Sequence, residues 1–377
     1  MKVLMLSTDQ KIFDLNSEAH QRMIGYGGLF DELHIIVYTK CGLISEKKVD
    51  ISANTFVYPT NSKYKLLYIF NIFFIAQKIL KERTSKQKWV ITSQDPFETG
   101  LAGYLLKRFY CLSLQIQIHT DFLSPYFSAE SIKNKLRVIL GKIIVKRADG
   151  IRVVSERIKK SIIKIYPSLV SRVVVLPVFV DIEKIRHANI RVDLHKKYPQ
   201  FDFIILMASR LTREKNIPMT IGAMKVIVEK YHKIGLIIVG SGPEQNNIQS
   251  IIKEHNLQKN VILEPWTDDM PSYYKTADCF VLTSNHEGYG RTVIEAMASG
   301  CPMIMTDVGV AGELVKNDIY GAIISVGDIV ALTSVLNSII DDLLYRKALC
   351  AVALIIINNM TSKDSYYLQY KLLFENI

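Results

Sequence analysis

The sequence predicts an α/β protein built on two doubly wound parallel sheets. Three observations carry this expectation. Short apolar runs alternate with longer amphipathic ones, and the whole series occurs twice. At 377 residues the chain is long enough for two or three domains. One stretch, residues 279–300, reads in a single line as a buried strand, a glycine-rich turn and a helix.

Composition narrows the class. With 49% hydrophobic and 22% charged residues, the chain can bury substantial cores and is not a disordered type. Its five cysteines, Cys41, Cys111, Cys279, Cys301 and Cys350, form no C-x-x-C pair. They read as reduced thiols of a cytosolic protein, with no zinc site. Residues 1–8 read as a first strand rather than a leader. The longest apolar run, 66–76, falls short of the roughly 20 residues a membrane span needs. The net charge of +11 is uneven: residues 1–190 net +13 and the remainder −2. A basic first half points to an anionic partner or surface. No nucleic-acid-binding signature accompanies it.

In order, residues 2–7 are expected to form a strand, 14–32 a helix and 33–39 a second strand. The loop between the first two, Thr8-Asp9-Gln10-Lys11, has no glycine. Gly25, Gly27 and Gly28 read as helix-end punctuation. Residues 63–88 join an apolar centre to basic flanks and predict a helix. The strand over 89–92 leads to Asp95, which either lines a ligand site or caps a helix over 97–107. Residues 114–118 alternate as a strand and deliver His119 and Asp121 at its carboxyl end, where sites gather. A basic amphipathic helix is expected over 131–147, strands over 151–154 and 173–176, and a linker over 177–181.

The second series opens with a strand over 203–208. Arg210 and Lys215 follow it; they are either solvated cations or a pair suited to a diphosphate. The strand over 236–239 enters Gly240-Ser241-Gly242-Pro243, which departs from a dinucleotide fingerprint at Gln245. The strand over 261–263 leads to Trp266, which taken by itself reads as a core residue. The strand over 279–282 leads to Glu287, the turn Gly288-Tyr289-Gly290 and a helix starting at Arg291. Free N–H groups at such a helix start attract anions. Glu287 before the turn and Glu295 one turn inside are either acceptor-only carboxylates suited to ribose or sugar hydroxyls, or part of a plain strand–turn–helix with Glu287 a solvated charge. Glu313 reads as a helix residue, and 365–376 as a final helix.

The run from Glu287 to Glu295 resembles the E-x(7)-E signature of family-4 retaining glycosyltransferases. Arg210, Lys215, the G-x-G-P turn and the runs S-Q-D-P-F-E-T-G and I-H-T-D-F are similar to the same family. The likeness covers essentially the whole chain and is strongest over 203–315. It implies a GT-B fold, two Rossmann-like domains facing across a cleft. Residues 1–180 would form the acceptor domain, with 360–377 returning to it, and 181–359 the nucleotide-sugar domain. It implies transfer of a sugar from a UDP- or GDP-linked donor to an acceptor hydroxyl, with retention and without a metal or other cofactor. The acceptor expected is a growing cell-surface polysaccharide or a lipid-linked glycan. The likeness assigns catalytic roles to Arg210, Lys215, Glu287 and His119. Donor binding falls to Glu295, Gly288, Tyr289, Gly290, Arg291, Gly240, Trp266 and Asp95. The chain departs from the family at its glycine-free first loop and at Val178-Phe179, where Asn-Gly is usual. A silent binding protein of the same fold and an NAD-dependent dehydrogenase are the alternatives. The expected location is cytoplasmic, with the basic half on the anionic inner face of the membrane and no nucleic-acid partner.

Overall fold

The computed structural model describes residues 1–81, 88–317, 319, 321–358 and 360–377. The chain divides into two compact units. One comprises Met1–Leu123, Ser131–Pro177 and Ser362–Ile377; the other comprises Ser124–Glu130 and Val178–Thr361.

The first unit holds eight strands: β1 (Lys2–Ser7), β2 (Glu32–Val37), β3 (Val49–Ser52), β4 (Thr55–Pro59), β5 (Trp89–Ser93), β6 (Ser113–Ile118), β7 (Gly150–Val153) and β8 (Val173–Val175). Their order is β3-β4-β2-β1-β5-β6-β7-β8, parallel except for β3. Strands β1, β5 and β6 are Val-, Ile- and Leu-rich and buried on both faces, as a covered parallel sheet requires. The chain grows outward from β1 to β4 and then crosses back to β5. Strand order therefore reverses between β1 and β5, and a ligand crevice belongs at their carboxyl ends.

Right-handed crossovers place the helices Tyr68–Lys81, Glu98–Tyr110 and Ile132–Val145 side by side on one face. The helices Glu18–Gly27 and Lys363–Glu375 meet on the other. Tyr366, Tyr370 and Phe374 recur every fourth residue and are buried. The Tyr370 ring stacks on Tyr26 at 4.0 Å, and Phe374 meets Phe30 edge-on at 5.0 Å. The last helix also completes a buried polar site. Arg152, on β7, donates to the carbonyls of Leu176 (3.0 Å) and Pro177 (2.8 Å), to Gln117 Oε1 (2.7 Å) and to the Tyr366 hydroxyl (3.0 Å).

Three expectations are corrected here. The helix expected over 14–32 is a 3-10 turn, Gln10–Phe13, followed by the helix Glu18–Gly27. Asp9 and Ser17 each accept a backbone N–H and start these two pieces separately. The helix expected over 63–88 is a 3-10 turn, Lys65–Leu67, and the helix Tyr68–Lys81; Arg83 and Lys86 lie outside the described residues. Glu313 stands in a turn, not a helix.

The second unit holds β9 (Phe203–Ala208), β10 (Ile234–Val239), β11 (Val261–Glu264), β12 (Cys279–Leu282), β13 (Met303–Thr306) and β14 (Ala322–Ile324). All pairings are parallel, in the order β11-β10-β9-β12-β13-β14. This is the Rossmann order 3-2-1-4-5-6, with its reversal between β9 and β12. Ile221, Met224, Leu332 and Leu336, from helices Ile217–Lys230 and Ile329–Asp341, close one face of the sheet. Both units are thus Rossmann-like, as the sequence predicts.

Candidate functional site

The reversal between β9 and β12 gathers most of the expected residues of the second unit. Strand β9 ends at Ala208, and the chain then passes through Ser209 and Arg210 into a 3-10 turn, Arg213–Lys215. Asn216 ends that turn at φ 45°, a left-handed conformation asparagine tolerates. The segment after β12 clamps the turn. The Thr283 hydroxyl donates to the carbonyls of Lys215 and Asn216 (3.2 and 3.1 Å), and the Asn285 N–H donates to the carbonyl of Glu214 (2.7 Å). The Asn216 side-chain amide donates to Asn285 Oδ1 at 3.0 Å.

The clamp brings Lys215 to Glu287. Lys215 Nζ lies 2.5 Å from Glu287 Oε1, and the side chains are only 13% and 14% exposed. The Ser284 hydroxyl donates to the same oxygen at 2.8 Å. Among the described residues Glu287 Oε2 has no hydrogen bond, so one carboxylate edge stays open to a ligand. Arg210 differs from Lys215: its side chain is 75% exposed, and its guanidinium lies 3.1 Å from Glu214 Oε1. Burial pushes the Glu214 carboxyl up, but the Thr212 hydroxyl, a backbone N–H and the Arg210 and Lys215 charges together hold it below the usual range.

Gly240 follows β10 at φ 154°. A Cβ there would stand 1.9 Å from the carbonyl oxygen of Ser209, so only glycine lets the two loops touch. The Ser209 hydroxyl is buried and has no partner among the described residues. Gly290, at φ 94°, precedes the helix Arg291–Ala298, and no side chain caps that helix. One turn in, Glu295 Oε1 lies 2.8 Å from the Arg291 guanidinium, and Glu295 Oε2 accepts from the buried Tyr274 hydroxyl at 3.1 Å. Burial, then the Glu295 charge, pushes the Tyr274 phenol far up, so it remains a donor.

Trp266 stands apart from this cluster. It follows β11 at the sheet edge and is half-exposed, which removes the reading of it as core. Beside it Glu264 is held by Lys197 (2.6 Å), Tyr273 (2.6 Å) and Tyr198.

Asp95 and His119 belong to the first unit, at the carboxyl ends of β5 and β6. Asp95 Oδ1 accepts the Phe97 N–H at 2.7 Å, and no side chain caps the helix Glu98–Tyr110. Asp95 therefore caps the turn before that helix. Burial raises its pKa. His119 Nε2 donates to the Gln94 amide oxygen at 3.2 Å. Burial, then the charges of Arg152 and Arg22, push its pKa down to about 3. The imidazole is neutral, with Nδ1 left as an acceptor, and suits a hydroxyl better than a cation's role at phosphate. The glycine-free first loop is the 3-10 turn that Asp9 starts.

Several members of the second-unit cluster carry no signal in the sequence. Glu214 and Ser284 are visible only as polar neighbours of Lys215 and Glu287. The neighbour of Glu287, buried His286, bonds Glu130 Oε1 at 2.7 Å under the Phe127 ring, a partner 156 residues away.

Residues 193–350 match the family described as glycosyl transferases group 1. A Methanocaldococcus jannaschii protein named as an uncharacterized glycosyltransferase is 32% identical over 256 residues, which span 65% of this chain and 62% of that one. The Escherichia coli UDP-Gal:alpha-D-GlcNAc-diphosphoundecaprenol alpha-1,3-galactosyltransferase is 28% identical over 78% of this chain and 76% of its own. Among solved structures, Anabaena Alr3699/HepE in complex with UDP-glucose superposes with TM-score 0.78 at 19% identity, over the whole of both chains. Sucrose-phosphate synthase from Thermosynechococcus elongatus gives 0.80 at 18% identity, over 100% of this chain and 98% of that one. The fold follows: it is the GT-B fold of these solved structures. The match to the group 1 family spans residues 193–350, under half of the chain.

Proposed function

We propose that the protein transfers a sugar from a UDP- or GDP-linked donor to an acceptor hydroxyl, with retention at the anomeric carbon. The observation that carries the reading is the cluster at the β9/β12 reversal: Lys215 against Glu287, Arg210 beside them, and an uncapped helix start at Gly290. Negative charge grows on the leaving diphosphate as the glycosidic bond breaks, and fixed cations and N–H groups stabilise it there. Arg210, Lys215 and the N–H groups of 288–291 supply them. The unpartnered Ser209 hydroxyl gains an acceptor from the same diphosphate. Glu295 holds ribose hydroxyls, and the open edge of Glu287 faces the donor sugar. The acceptor oxygen attacks on the face the diphosphate leaves, and its proton passes to the departing phosphate oxygen. The cations replace a metal ion. The fold that holds UDP-glucose in Alr3699/HepE supports a nucleoside-diphosphate donor.

The first unit reads as the acceptor domain, docked on the inner face of the cytoplasmic membrane, where a polysaccharide precursor on a lipid carrier would lie. Ile132, Leu136, Ile139 and Ile143 form an exposed apolar stripe along one helix, with Lys133, Lys135 and Lys142 beside it. Such helices lie in the bilayer interface. No helix among the described residues is long and apolar enough to cross a membrane.

A panel of nucleotide-sugars, scored by thermal shift and slow donor hydrolysis, tests the reaction; product anomers read by NMR test retention. No binding or turnover with any donor would leave only a silent protein of this fold. Cosedimentation with anionic vesicles, strong at low salt and weak near 1 M, tests docking. Serine at Lys133, Lys135 and Lys142 should weaken it. Arg137 stays in place, because its guanidinium grips Glu98 at 2.9–3.1 Å, close to Asp95.

A further inference from the structure

The first unit carries a groove that the transfer reaction leaves unused. It runs between the helices Tyr68–Lys81 and Glu98–Tyr110 and encloses about 680 Å³, within the roughly 300–1,000 Å³ typical of small-molecule sites. Phe70, Phe73, Leu101, Leu105 and Phe109 line it, and Arg108 is the one charged lining residue. The helix Tyr68–Lys81 meets its own sheet through Ile72, Ala76 and Leu80. Phe70 and Phe74 face outward instead, 63% and 61% exposed. An aromatic surface of this size on a soluble face marks an interaction site.

The groove is polar in one direction only. Both helices follow parallel strands, so both end at the amino edge of the sheet. Lys78, Lys81 and Arg108 stand at those ends, and none of them forms an ion pair among the described residues. Arg108 is ten residues, or about 15 Å of helix, from Glu98 and the neighbouring Asp95.

We propose that this groove holds one hydrocarbon chain of an anionic bilayer lipid, with its phosphate on Arg108, Lys78 and Lys81. The proposal deepens the membrane-docking reading and rests on it for the source of the lipid. The cationic end lies away from Asp95 and His119, so the bound lipid is an anchor and not the sugar acceptor.

The full chain tests this with decyl phosphate, a soluble probe used below its micelle concentration. Saturable binding is expected, weakened at least fivefold by Leu105→Trp, which fills the groove, and by Arg108→Gln, which removes the cation. Both variants should keep the wild-type circular dichroism and donor hydrolysis. In vesicles of phosphatidylglycerol and phosphatidylcholine, a diazirine-chain phosphatidylglycerol should label peptides of 68–81 and 98–110. Non-saturable probe binding, equal affinity in both variants, or label confined to 132–145 would overturn the proposal. Loss of vesicle cosedimentation with probe binding retained would sink the docking reading and leave the groove standing.

Discussion

Replacing Lys215 with alanine should remove most turnover, and the structure separates that loss from unfolding. Lys215 and Glu287 are largely enclosed and 2.5 Å apart. On the proposed reading, alanine removes a cation that stabilises the leaving diphosphate, which costs on the order of 3 kcal/mol in the barrier, roughly a hundredfold in rate or more. It also leaves Glu287 with only the Ser284 hydroxyl as donor, and an under-satisfied buried group costs about 1–3 kcal/mol of stability. Glu287→Gln in the same background removes the orphaned charge. The double variant should therefore regain stability, read as a urea midpoint, without regaining donor hydrolysis or transfer. Lys215→Ala turning over within fivefold of wild type would refute the assignment. Rate recovered in the double variant would show instead that Lys215 serves only to neutralise Glu287.

Arg210→Ala should cost less than about 0.5 kcal/mol of stability, because its pair with Glu214 is exposed, yet slow transfer about a hundredfold; an unchanged rate would mark it as a solvated cation. Glu295→Ala should weaken nucleotide binding by calorimetry, since Arg291 and Tyr274 lose their acceptor, whereas Glu287→Ala should mainly slow turnover; if neither parameter moves in either variant, the helix start is structural. Activity should survive EDTA, and complete loss restored by magnesium or manganese would contradict the cation-only reading. His119 has a folded pKa of about 3 against roughly 6.5 unfolded, so the unfolded chain takes the proton first. Its contribution to stability is full above about pH 6.5 and declines toward pH 3; His119→Asn should flatten that part of the urea-midpoint profile, and a parallel decline in the variant would discount the shift.

The sheets were the most legible part of the sequence. Runs such as Phe203–Ala208 and Ile234–Val239 are continuous stretches without a polar side chain, rich in Ile and Leu, as strands buried on both faces demand. The strand–turn–helix from Cys279 was readable for a related reason: glycine and two glutamates at fixed spacing have few structural explanations. Less could be read where distant residues decide. Nothing local in Glu130 announces His286, and nothing in the 3-10 turn at Gln10 distinguishes it from the helix that follows except two capping side chains. The hairpin of β3 and β4 escaped because each strand is short and β4 ends in proline. Trp266 could not be divided between core and surface until the edge position of β11 was known.

The path of the chain through the two units has a consequence for its synthesis. Arg152 emerges 214 residues before Tyr366, an interval of about 10–40 s at the usual elongation rates of roughly 5–20 residues per second. All of Val178–Thr361 is made in that interval. On the ribosome, the unit begun first is therefore the one completed last. Until the final helix arrives, Arg152 lacks its tyrosine partner, and the face that Tyr370 and Phe374 will cover is exposed to water and to chaperones.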